Sequence, residues 1–111
     1  MPEARFRVVW SEAAVRDLED IVSFVARDSA LDADRLLARL EARASSLVTH
    51  PGRGRLVPEL LRFGLKTWRE LVVRPHRVVY RIAGRTVVVL AVFDARRDLE
   101  DILLERLIRG T

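Results

Sequence analysis

The chain has 111 residues, half of them hydrophobic, with 20 Lys and Arg against 16 Asp and Glu and a formal net charge of +4. That length and composition predict one globular domain with its own core and argue against intrinsic disorder. There is no cysteine, which excludes disulfides, thiol nucleophiles and cysteine-ligated zinc.

The longest apolar run, Val87 to Phe93, is far too short to cross a bilayer. No apolar stretch of the secretory kind follows Arg5. The expectation is a soluble, cytoplasmic protein without a membrane partner. The positive charge is unevenly placed. Residues 1–50 hold seven basic and nine acidic side chains, residues 51–97 eleven and three, and residues 98–111 two and four. Such a concentration points to a face that meets phosphate or carboxylate groups.

In chain order, residues 5–10 read as a strand, with Phe6, Val8 and Trp10 alternating against Arg5, Arg7 and Val9. Ser11 stands where an N-cap belongs, and Glu12 suits the first turn of a helix. The stripe Ala14, Val15, Leu18, Ile21, Val22 and Val25 predicts a helix over 12–27. After a tight connection at 28–32, Ala33, Leu36, Leu37, Leu40, Ala44, Leu47 and Val48 predict a second helix over 32–48. So short a loop implies an antiparallel helical hairpin. His50-Pro51-Gly52 ends it. Pro58 and Gly64 break up residues 53–66, with room for one helical turn at 59–63. Strands follow at 68–73, 77–82 and 86–93, joined by turns at 74–76 and 83–85. The third is apolar on both faces, as in a central strand covered on each side. A last helix over 98–108, capped by Asp98, completes the order β-α-α-β-β-β-α. The expected class is α+β: a helical hairpin packed on a small, largely antiparallel sheet, with a C-terminal helix.

Strand alternation puts Arg77 and Arg81 on one face of their strand, with Val78, Tyr80 and Ile82 on the other. If the register pairs this face with that of Arg69, Leu71 and Val73 on the preceding strand, Arg69, Arg77 and Arg81 project from the same side, and Arg96 and Arg97 would complete a patch. Clustered guanidinium groups of this kind fit a polyanion or an acidic partner. The plainer alternative is an ordinary sheet face with local pairing by Glu70 or Asp94. His50 and His76 each stand beside a proline and read as turn residues. Tyr80 reads as core, Trp10 and Trp68 as core or rim. No metal-ligand spacing, glycine-rich phosphate loop or nucleophile elbow is found, so no cofactor and no metal are expected. In the last segment, Leu99, Ile102, Leu103, Leu104, Leu107 and Ile108 exceed what an end helix needs; either another chain covers part of them or they form a broad core-facing stripe.

The stretch from Trp68 to Ile82, with an arginine opening one strand and Arg-Val-Val-Tyr-Arg-Ile in the next, resembles the RelE/ParE family of toxins. Trp10 to Ala14 and Val92 to Asp98 are similar to further landmarks of that family. The resemblance spans nearly the whole chain and sits closer to ParE. It implies a growth-inhibiting toxin neutralised by a cognate ParD/RelB-like antitoxin, which would contact Leu99, Ile102, Leu103 and Leu107 and carry any operator-DNA binding. Two targets follow from the resemblance. One is DNA gyrase, for a toxin that acts by binding; the other is the ribosome and its mRNA, for an endoribonuclease. Arg69, Arg77, Arg81, Arg96 and Arg97 would bind the target, and the first four are the candidates for nuclease chemistry. Asp94 stands where many relatives carry His, and no Tyr or His follows Tyr80, which favours the binding toxin. A non-toxic, antitoxin-bound co-repressor module is the remaining alternative.

Overall fold

The computed structural model describes residues 5–97, 99, 100, 102 and 106. Ser11 caps α1 (Glu12–Ala26) by accepting the Ala14 N–H, and Ser29 caps α2 (Ala30–Ser45) by accepting the Asp32 N–H. Ser29, rather than Asp32, therefore opens the second helix, two residues earlier than the spacing implied. Two 3-10 turns, Ser46–Val48 and Pro51–Arg53, lead out of the hairpin.

Five strands form one sheet: β1 (Arg7–Trp10), β2 (Arg55–Leu56), β3 (Trp68–Val73), β4 (His76–Ala83) and β5 (Thr86–Asp94), in the order β1-β5-β4-β3-β2. β1 runs parallel to β5, and the other pairs are antiparallel. The α+β class and the hairpin on the sheet stand as expected. The two-residue edge strand β2 was not legible, because Arg55–Leu56 is too short to show alternation. The residues before β3 do hold one helical turn, α3 (Pro58–Leu61). Residues 99, 100, 102 and 106 are helical; the predicted cap Asp98 lies outside the described residues. Among the described residues, no helix is long and apolar enough to cross a membrane.

The sheet is covered on both faces, as the two-sided apolarity of residues 87–92 required. Toward the hairpin, Leu71, Val73, Val78, Tyr80, Val87, Val89 and Val92 pack on Ala14, Leu40 and Leu47. On the far face, Val79, Leu90, Ala91 and Phe93 pack on Val57, Leu60 and Leu99. The inward residues of β5 step from Val89 to Val92 because the β4–β5 register shifts between Val79 and Tyr80. One extra residue on β5 is what a bulge supplies. The backbone groups at this irregularity find partners outside the ladder. Val92 N–H donates to Asp17 of α1 at 3.0 Å, while the Leu90 carbonyl accepts from Ser11 Oγ and from Arg106.

Candidate functional site

The connection between β3 and β4 is two residues long, because Val73 pairs with His76. His76 is thus the first residue of β4 and is buried, not part of the turn. That single residue decides the faces. Register then matches Arg69 with Tyr80 and Trp68 with Arg81, so Arg69 points toward the hairpin side while Arg77 and Arg81 point away. The expected common face for Arg69, Arg77 and Arg81 is corrected on this ground, since a one-residue slip exchanges every side chain across a sheet.

On the hairpin side, Tyr80 and Arg69 fix the loop that precedes β2. The Tyr80 hydroxyl donates to the Pro51 carbonyl at 2.6 Å and accepts the Gly54 N–H at 2.9 Å, and Arg69 donates to the Gly54 carbonyl at 2.8 Å. Tyr80 is completely buried. Burial pushes its phenol above the ordinary value, against the Gly54 hydrogen bond and the charges of Arg69 and Arg53. Gly54 is required here: a Cβ would lie 2.5 Å from the Tyr80 oxygen and 2.6 Å from the Glu70 carbonyl.

On the far face a row of alternating charges runs from the sheet edge to α3. Arg55 donates its Nε to Glu70 at 2.7 Å. Arg77 donates its own Nε to the other Glu70 oxygen at 2.7 Å, and its Nη2 bonds the same oxygen. The outer edge of the Arg77 guanidinium grips Glu59 in a two-bond fork of 2.7 and 2.8 Å. The Glu70 side chain has no exposure and that of Arg77 only 8%, so neither charge would be tolerable unpaired. Burial disfavours the Glu59 carboxylate, but the bonds and charge of Arg77 outweigh it and hold Glu59 below the usual carboxylate range. Arg77 is likewise disfavoured by burial yet raised by Glu59 and Glu70. Its guanidinium carbon also lies 5.8 Å from the Phe93 ring centroid. The local pairing entertained for Glu70 is what the structure contains, and Glu59 was the partner that sequence reasoning missed. Its signal was weak: an acid in the first turn after Pro58, far from Arg77 in the chain.

Arg81 is half-buried with its guanidinium carbon 5.9 Å from the Trp68 ring centroid. Arg96 forks onto Asp94 at 2.7 and 3.0 Å, which holds Asp94 far below the usual carboxylate range. Arg97 is exposed. The five arginines therefore do not make one patch. Leu99 is already covered by the far-face core, Ile102 is half-buried, and Leu103 and Leu107 lie outside the described residues. Among the described residues, apolar surface is exposed at Val15, Phe24 and Leu31 of the hairpin, at Leu61, Phe63 and Leu65 around α3, and at Val72 of β3.

The family model for the ParE toxin of type II toxin–antitoxin systems matches residues 8–99. The chain belongs to this toxin family. The Caulobacter vibrioides protein named Toxin RelE2 is 37% identical over 92 residues, covering 82% of this chain and 97% of that protein. Among solved structures, the chromosomal ParDE system from P. aeruginosa superposes with a TM-score of 0.66 at 18% identity, covering 83% of this chain and 98% of the other. The RelBE2 toxin–antitoxin complex from Mycobacterium tuberculosis gives 0.60 at 24%, covering 81% and 98%. These likenesses agree with the RelE/ParE fold. In this ParE-family toxin, Arg77 and Tyr80 are both bonded inside the fold.

Proposed function

We propose that this ParE-family toxin arrests growth by binding DNA gyrase rather than by cutting RNA. The observation that supports this reading is the commitment of its motif side chains. Cleaving RNA requires one group to take the 2′-hydroxyl proton and another to protonate the leaving oxygen. The Tyr80 hydroxyl spends both its donor and its acceptor capacity on Pro51 and Gly54. Arg77 is engaged by two carboxylates, and an arginine is in any case a poor proton donor because it holds its proton too firmly. What remains on the surface, Arg97 and the outer parts of Arg55 and Arg81, suits adhesion to an acidic or phosphate-bearing target.

A cognate antitoxin of the ParD/RelB kind is proposed to hold the toxin silent, as toxin and antitoxin are joined in the ParDE and RelBE2 systems. Ile102, with Leu103 and Leu107, remains the proposed contact, together with the exposed apolar residues of the hairpin. Leu99 would serve indirectly, by seating this segment. The protein would work in the cytoplasm. A supercoiling assay with purified gyrase tests the reading: added toxin reduces supercoiling or traps cleaved DNA, and the antitoxin reverses the effect. Gyrase untouched at micromolar toxin removes the proposal.

A further inference from the structure

The charge row on the far face has an asymmetry. Glu70 is sealed in the sheet and grips the inner edge of Arg77. Glu59 grips the outer edge, and its side chain keeps 19% of its surface in solvent. It stands on α3, a helix of four residues. The two parallel N–H groups it occupies are the arrangement that suits carboxylates and phosphates alike. With the Glu59 side chain swung outward, that fork would face solvent, backed by the Phe93 ring and flanked by the half-exposed Arg55. Glu70 would still neutralise one of the two arginines. One uncompensated positive charge would remain, in a site already shaped for a planar or tetrahedral oxoanion.

We propose that the outer edge of Arg77 is a binding site for oxoanions of the phosphate class, and that the Glu59 carboxylate is its built-in occupant, holding the site shut. The inference frees Arg77 for anion binding alone; Tyr80 stays bonded to Pro51 and Gly54, so the acid–base pair that cutting RNA needs is not supplied. It assigns Glu59 a gating role in addition to its pairing. Displacement needs only a side-chain rotation, because Val57 and Leu60 on either side are fully buried and keep α3 in place. The ligand must be able to replace both fork bonds, so phosphate and sulfate qualify while chloride does not.

The test is titration of the whole chain with inorganic phosphate, followed by calorimetry and by the Arg77 Nη–H resonances. Glu59→Gln removes the competing charge while keeping the side chain's length. The Gln amide can keep at most one, uncharged, hydrogen bond to Arg77, so phosphate should bind this variant more tightly than the wild type by about tenfold or more. Adding Arg77→Lys to Glu59→Gln should abolish the gain, because a lysine cannot present the fork. A folded Glu59→Gln variant with wild-type phosphate affinity overturns the proposal, as does a gain that survives Arg77→Lys. If Glu59→Gln does not fold, the wild type decides. Saturating phosphate must shift the Arg77 Nη–H resonances, which carry the fork, while equal ionic strength of chloride does not; unmoved resonances overturn the proposal equally.

Discussion

Tyr80→Phe takes away one oxygen and nothing else. In the structure that oxygen satisfies the Pro51 carbonyl and the Gly54 N–H. Gly54 is buried, so its N–H has no ready access to water once the phenol is gone, whereas Pro51 is half-buried and would be rehydrated in part. An unsatisfied buried group costs about 1–3 kcal/mol, and a partly rehydrated one less, so the expected loss is about 2–4 kcal/mol. Urea unfolding read by linear extrapolation would show it as a lower midpoint at unchanged slope. Gly54→Ala supplies an internal check. Its Cβ meets the Tyr80 oxygen at 2.5 Å, which Tyr80→Phe relieves, but also the Glu70 carbonyl at 2.6 Å, which it does not. Gly54→Ala should therefore remain strongly destabilised with Phe at position 80. A Tyr80→Phe loss below about 0.5 kcal/mol, the range of an uninvolved surface change, would refute the reasoning.

Further outcomes follow from the same contacts. Asp17→Ala removes the acceptor for Val92 N–H and the fork that holds Arg106; hydrogen exchange should quicken at Val92 and around residue 106 before it does at β4. Glu59 titrates below the ordinary carboxylate range, so its contribution is present above the unfolded value and is lost as pH falls through the folded one. Stability measured in acid should accordingly drop less in Glu59→Gln than in wild type. His76 is lowered from 6.5, first by burial and then by Arg39 and Arg96, with Asp94 opposing. Its neutral form is favoured in the fold, so stability should decline as pH falls below 6.5, and His76→Phe should flatten that decline.

Much of the fold was legible because it rests on periodicity and capping. Ser11 capped the first helix as read, the three-and-four spacing marked both hairpin helices, and the two-sided apolarity of β5 foretold a covered central strand. The candidate site was read less well, for two physical reasons. Taking His76 into the turn shifted the β3–β4 register by one residue, which moved Arg69 to the wrong side. A two-residue hairpin is the commonest connection, and it makes His76 the first residue of β4. The pairing of Arg77 with Glu59 depends on α3 folding over the sheet, a tertiary contact that no local pattern encodes. Arginines that looked like one patch were therefore divided among a buried row, a loop clamp, an aromatic contact and a strand-end fork.

The most direct test of a toxin that binds rather than cuts is to induce it in cells without antitoxin, then examine plasmid topology and map transcript ends from the same culture. Relaxed or broken plasmid DNA with intact messages is the predicted result. Codon-associated message cuts with normally supercoiled plasmid would contradict it.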